Sequence, residues 1–175
     1  MNVLETERLR LRWLTPDDAP FIIELLNDPS FIRYIGDKQV RTVDEARAYV
    51  LNGPAKSYET YGFGLNLVEL KTEGTPIGIC GLLKRDTLPE PDIGFAFLPA
   101  YWKQGYALEA AAAVMKHGRE TLGVKVVLAI TTPDNEASGK LLSKIGLRFD
   151  RVVKLSEDAT EVKLFTSDQT ADTVL

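Results

Sequence analysis

Asp92-Ile-Gly-Phe-Ala-Phe-Leu-Pro-Ala-Tyr-Trp-Lys-Gln-Gly-Tyr-Ala-Leu-Glu109 is the stretch whose pattern decides the fold. Its first half is short, apolar and rich in aromatic residues and closes at Pro99, the pattern of a strand from Asp92 to Leu98. From Gly105 to about Leu122 there is no proline and alanine is dense, with Leu108, Ala112, Met115 and Leu122 at helical spacing. A tight turn containing Gly105 therefore joins a strand directly to a helix. The first turn of any helix offers unpaired N–H groups and a partial positive charge. Such a terminus binds phosphate or pyrophosphate without a cationic side chain. Gly105 lets the main chain approach an anion closely, and the small Ala107 keeps the entrance open. The same residues serve equally well as a plain strand-to-helix turn. The stretch is not a P-loop, because no Gly-Lys-Ser/Thr follows, and it lacks the GxGxxG dinucleotide pattern.

Outward from this stretch, Val124 to Ile130 is a short β-branched run that reads as a buried strand. Pro133-Asp134 then opens a short helix with Leu141, Leu142 and Ile145 inward and Gly146 at its end. Asn135 and Ser138 fall within one turn at its start, where an amide and a hydroxyl three residues apart share a side. The plainer reading makes Asn135 or Asp134 a helix cap and Ser138 a solvated helix residue. Strands over 147–154 and 160–166 close the domain. Upstream, Leu9, Leu11 and Trp13 alternate with Arg8, Arg10 and Arg12, the period of a half-buried strand. Thr15-Pro16-Asp17-Asp18 caps a helix that runs to about Asn27, and Thr42-Val43-Asp44-Glu45 caps a second through about Leu51 that Gly53-Pro54 ends. Strands over 62–70 and 76–83 form a hairpin. The order β-αα-βββ-α-β-α-ββ implies one α/β (α+β) domain over 1–175, with a mixed, mostly antiparallel central sheet and helices on both faces. Residues 168–175 read as a frayed tail.

The composition excludes more than it names. At 175 residues, 45% apolar and 26% charged, with mean hydropathy −0.09, the chain is an ordinary globule that needs no staple. The single Cys80 excludes an intrachain disulfide, and with the single His117 it leaves no apparatus for a metal centre. A net charge of −4 argues against direct nucleic-acid binding. No run approaches the ~20 apolar residues of a membrane span, and the charged start is no signal peptide, which implies a cytoplasmic protein.

Together these segments resemble the GNAT superfamily of N-acetyltransferases. Trp102-Lys103-Gln104-Gly105-Tyr106-Ala107 is similar to the family's acyl-CoA loop, (Q/R)-x-x-G-x-(G/A), except at its first position. Asn135-x-x-Ser138-x-x-Leu141, leading to Lys144-Ile145-Gly146-Leu147, is similar to the family's second CoA-binding helix. An aromatic at Trp102, together with Thr6-Glu7-Arg8-Leu9-Arg10-Leu11-Arg12 and Asn27-Asp28-Pro29, resembles the ribosomal-protein-alanine N-acetyltransferase branch.

The resemblance implies a GNAT-like fold in which acetyl-CoA, the cosubstrate, lies between splayed parallel strands. The backbone of Phe95, Ala96 and Phe97 would bond the pantetheine arm. Main-chain amides of Lys103, Gln104, Gly105, Tyr106, Ala107 and Leu108 would cradle the pyrophosphate. Asn135 would hold the pantetheine, and Ser138 would sit near the thioester sulfur. The implied reaction is direct acetyl transfer to a primary amine, either a protein N-terminal amine or a small molecule such as an amino acid, polyamine or aminoglycoside. A CoA-binding module without catalysis is the reading from another class. The tyrosine that many GNAT enzymes use as acid is replaced by Leu142, leaving Ser138 as the candidate acid. Asp92 is the candidate base, against the plainer reading of a solvated turn residue. No metal is implied. The acceptor site would come from the N-terminal helices, the loop over 31–36 and the last hairpin, and homodimers occur in the resembling branch.

Overall fold

The computed structural model describes residues 1–168. Strand β1 (Asn2–Glu5) is followed by β2 (Leu9–Trp13), a 3₁₀ turn (Pro16–Asp18) and four helices: α1 (Ala19–Leu26), α2 (Pro29–Tyr34), α3 (Val43–Asn52) and α4 (Pro54–Tyr61). The meander β3 (Leu65–Leu70), β4 (Pro76–Leu83) and β5 (Asp92–Phe97) leads through a second 3₁₀ turn (Pro99–Tyr101) into α5 (Tyr106–Glu120). Then come β6 (Leu128–Thr131), α6 (Glu136–Lys144), β7 (Arg148–Val153) and β8 (Val162–Thr166). The described strands form one sheet in the order β1-β2-β3-β4-β5-β6-β8-β7. Every pairing is antiparallel except β5 with β6, which is parallel. This is the mixed, mostly antiparallel sheet expected.

Helices cover both faces. On one, Ala110, Ala111, Val114 and Met115 of α5 and Leu142 of α6 pack on Leu9, Leu11, Ile93 and Phe97. On the other, Ile22, Leu25 and Leu26 of α1 and Ala46 and Val50 of α3 pack on Leu67 and Ile79. Leu25, Leu26, Ile22 and Leu67 are 1% exposed or less, and each such side chain contributes about 1.5–3 kcal/mol of burial free energy. Of the stripe read in the sequence, Met115 is buried and Leu108 and Leu122 pack against this core, whereas Ala112 is exposed.

The N-terminal half is richer than its pattern suggests. The strand β1 was not expected; it is four residues long, and its pairing with β2 shifts register between Asn2 and Leu4. Four helices replace two, because Pro29 and Pro54 each begin a new helix at its first position rather than only ending the one before. The run over 124–130 is a strand only from Leu128. Val127 is instead tied to the chain end, accepting from the Ser167 amide at 2.9 Å and donating to the Ser167 hydroxyl at 2.8 Å. Asp168 is likewise anchored, its amide donating to Thr166 Oγ1 and its carbonyl accepting from Arg148. The frayed tail expected from 168 therefore does not include Asp168, and the rest of it lies outside the described residues.

Candidate active site

The parallel strands β5 and β6 meet at a single register pair, Asp92 with Leu128, where the Leu128 amide donates to the Pro91 carbonyl at 2.8 Å. Beyond that point they separate, leaving a wedge-shaped gap in the middle of the sheet. Main-chain groups along a strand point alternately to its two neighbours. The Leu98 amide donates to Ile77 on β4 at 3.0 Å, whereas Pro91 faces β6. Even-numbered residues of β5 therefore face β4, and Phe95 and Phe97 present their N–H and C=O groups to the gap. Ala96 departs from the expectation, since its main chain is committed to β4 and its carbonyl lies against Gly78. Trp102, where the sequence departs from the family loop, donates its indole N–H to the Phe97 carbonyl at 2.8 Å and so ties the turn to the strand. At the last residue of β6, Thr131 Oγ1 is buried without a hydrogen-bond partner among the described residues.

The gap runs into the turn before α5. Lys103 and Gly105 both adopt left-handed backbone, with φ of 60° and 82°. Gly105 is the N-cap of α5 and supplies no side-chain cap, so the amides of Tyr106, Ala107 and Leu108 open outward from the first turn. An unfilled gap edge and an uncapped helix start are donors and acceptors suited to a long polar ligand with an anionic part. Acetyl-CoA has that chemistry, and the residues present fit it.

A clamp missed at the sequence level holds this turn. Glu109, in the first turn of α5, accepts from Thr6 Oγ1 at 2.6 Å, from the Arg8 amide at 3.1 Å and from Arg8 Nε at 2.8 Å. Arg8 Nη1 also donates to the Gln104 carbonyl at 2.9 Å, and its guanidinium lies 4.3 Å from the Tyr106 ring centre. Burial alone pushes the Glu109 carboxyl up, but hydrogen bonds from Thr6 and Arg8 bring it below the usual range. Glu109 thus stays ionised yet neutralised beside this turn. In the sequence Arg8 stands out by its polar position opposite Leu9 and Leu11 and by its place in the Thr6–Arg12 run, neither of which points to Glu109.

Asn135 is the N-cap of α6, its side-chain oxygen accepting from the Ser138 amide at 3.2 Å. Ser138 is half-buried, and no described residue bonds its hydroxyl. Leu142 is 1% exposed and belongs to the core. Asp92 is no solvated turn residue: it is 1% exposed and both its oxygens accept from Arg85 Nε, at 3.0 and 3.2 Å. Burial raises its carboxyl above the usual range, with the Arg85 charge opposing. Cys80 lies in the core, where burial pushes its thiol far up and keeps it protonated. Among the described residues no cluster of three or more His, Cys, Asp or Glu is arranged to hold a metal, and no helix is long and apolar enough to cross a membrane.

The profile of the acetyltransferase (GNAT) domain family matches residues 8–148. The uncharacterised N-acetyltransferase YoaA of Bacillus subtilis is 30% identical over 154 residues, covering 87% of this chain and 86% of that protein. The crystal structure of an acetyltransferase from Agrobacterium tumefaciens superposes with a TM-score of 0.81 at 24% identity, covering 97% of this chain and 95% of the other. RimL, a ribosomal L7/L12 alpha-N-protein acetyltransferase solved in complex with coenzyme A, superposes with a TM-score of 0.79 at 16% identity over 96% of this chain and all of that one, a likeness of fold.

Proposed function

This chain belongs to the GNAT acetyltransferase family, and from that premise we propose that it transfers an acetyl group from acetyl-CoA directly to a primary amine. The observation that carries the reading is the β5–β6 gap leading into the uncapped start of α5. When bound there, acetyl-CoA supplies an acyl carbon activated as a thioester. Phe95 and Phe97 hold and orient the pantetheine arm through main-chain groups facing the gap. The turn of Lys103, Gln104 and Gly105 and the amides of Tyr106, Ala107 and Leu108 bind the pyrophosphate. Ala96, bonded to β4 through its main chain, packs its side chain against the core under α1 and α3.

In the transfer, the amine nitrogen bonds to the acetyl carbon, the carbon–sulfur bond breaks, nitrogen loses one proton and the thiolate sulfur gains one. Asp92 accepts the proton from nitrogen, directly or through one water, and its raised carboxyl is a stronger base than an ordinary carboxylate. Ser138 donates to the sulfur, and Asn135 fixes the helix start that presents it while its amide nitrogen remains to bind pantetheine. No covalent acetyl-enzyme is needed, since the core thiol of Cys80 stays protonated. The acceptor is a protein N-terminus or a small amine, the setting is the cytoplasm, and a homodimer is the assembly to test. The experiment is thiol release from acetyl-CoA with peptide N-termini, amino acids, polyamines and aminoglycosides, with product mass as a second readout. Equal amounts of free thiol and N-acetyl product support the reading; coenzyme binding without turnover across the panel replaces it with a binding module.

A further inference from the structure

A cavity of about 410 Å³ lies under α3 and α4 on the sheet face opposite α5. Tyr49, Ser57, Leu65 and Leu83 form part of its wall, with Lys56 and Lys84 as its charged residues; no Asp or Glu lines it. The loop over 31–36 and the last hairpin, where the acceptor was expected, do not contribute to it.

Strand register ties this cavity to the gap. Leu83 pairs with Asp92, and Leu65 with Gly81, which pairs with Gly94. Cross-strand partners and every second residue share a face, so Leu65, Leu83, Gly94 and Asp92 all face the cavity's side. Gly94 makes the contact close: a Cβ there would lie 2.8 Å from Leu83 Cδ1 and 3.5 Å from Leu65 Cδ2. The two leucines that line the cavity therefore rest over the strand that borders the gap, next to the only point where β5 and β6 still pair.

The charge of the cavity is opposite to that of the chain. The protein carries −4 overall, yet the charged residues that line the cavity are both lysines. Lys84 Nζ donates to the Arg85 and Leu88 carbonyls at 3.0 and 2.9 Å, which fixes its position, and its charge acts on the Asp92 carboxyl. Neither Lys56 nor Lys84 forms an ion pair among the described residues. Asp92, the neighbouring carboxylate, is paired with Arg85. Arg85 in turn sits near enough to act on the Tyr49 hydroxyl and on the Lys38 ammonium, which partial desolvation and the Arg85 charge push down.

We propose that this cavity is the acceptor site and that it selects primary amines carrying an anionic group, a carboxylate or a phosphate, held by Lys56 and Lys84. The inference rests on the acetyl-transfer reading and narrows its acceptor. The volume lies within the range of small-molecule sites, about 300–1,000 Å³. The same cations serve the chemistry, because a positive surround disfavours the protonated amine and leaves more of the nucleophilic free base. A polyamine, positive throughout, meets repulsion in the same place.

The test compares matched pairs: an amino acid with its amide, and phosphoethanolamine with ethanolamine. The expected result is a KM about tenfold or more lower for the anionic member of at least one pair. Lys56→Glu raises that KM about tenfold, leaves the KM for acetyl-CoA unchanged and abolishes the preference, while Lys56→Arg restores it. Which pair shows the preference separates carboxylate from phosphate. A second arm needs no turnover: the N-acetyl amino acid and N-acetylphosphoethanolamine are each titrated calorimetrically into wild type and Lys56→Glu. Acetylation without preference for the anionic member overturns the acceptor assignment and leaves the transfer reading standing. No acetylation with product binding that Lys56→Glu removes overturns the transfer reading and leaves the site. Neither turnover nor product binding overturns both.

Discussion

Replacing Gly105 with alanine separates the fold from the coenzyme. Gly105 sits at φ 82°, in the left-handed region, at the N-cap of α5. An L-residue there costs about 1–2 kcal/mol. The added Cβ would lie 3.2 Å from Arg8 Nη2, the end of a flexible and exposed side chain that can give way. For a chain of this size each kcal/mol lowers Tm by about 2–4 °C, so Gly105→Ala melts only about 2–8 °C lower and stays folded. Coenzyme binding suffers more. The methyl group is added to the turn proposed to hold the pyrophosphate, and displacing the anion from one charge-assisted amide bond costs about 1.5–3 kcal/mol. That is a tenfold or greater rise in Kd. Calorimetric titration of CoA and thermal denaturation of the same preparation read the two effects side by side. A Kd within twofold of wild type, with Tm lowered as expected, would refute the placement of the pyrophosphate at this turn.

Ser138→Ala should lower kcat about 100-fold, the scale of a lost general acid, while the KM for acetyl-CoA changes little; an unchanged kcat in steady-state kinetics removes Ser138 from proton transfer. Asp92→Asn should lower kcat by a similar factor without lowering Tm at pH 8. The folded pKa of Asp92 is raised, so its ionised form opposes folding above that pKa, and a neutral amide relieves it; a fall in both would make Asp92 a structural residue. The acid limb of the rate profile should lie above the ordinary carboxylate range, and Arg85→Gln should move it to higher pH, since Arg85 holds Asp92 down. A limb that stays in place in that variant contradicts Asp92 as the base. Glu109 is lowered in the fold, so its contribution to stability is complete above the unfolded pKa and is lost as pH falls through the folded one. Glu109→Gln should therefore flatten the acid side of a Tm-against-pH curve. Cys80→Ala should keep full turnover at some loss of Tm; inactivity in a folded variant would reopen a covalent route.

Much of the architecture was legible because local pattern and final structure agree. The alternation around Leu9 and Leu11 gave a strand in which both leucines are fully buried, and the Asp92–Glu109 stretch gave the strand, turn and helix that frame the gap. The losses have physical causes. A four-residue edge strand with a register shift leaves too short a pattern to recognise, and a proline that stops one helix reads the same as one that starts the next. Which backbone groups of Phe95, Ala96 and Phe97 face the gap depends on pairing with β4, which no single strand encodes. The clamp of Thr6 and Arg8 on Glu109 joins residues more than 100 positions apart. The burial of Asp92 likewise comes from its position at the point where β5 meets β6, and the cations of the cavity converge from α4 and the end of β4.

Backbone NMR of the chain titrated with CoA tests the central claim most directly, because the coenzyme is assigned to main-chain groups at defined positions. The amides of Phe95, Phe97, Tyr106, Ala107 and Leu108 should shift in proportion to saturation, with Ala96, bonded to β4, moving less than its neighbours. Shifts centred elsewhere, with these amides unmoved at saturating CoA, would contradict the assignment of the gap and the α5 turn as the coenzyme site.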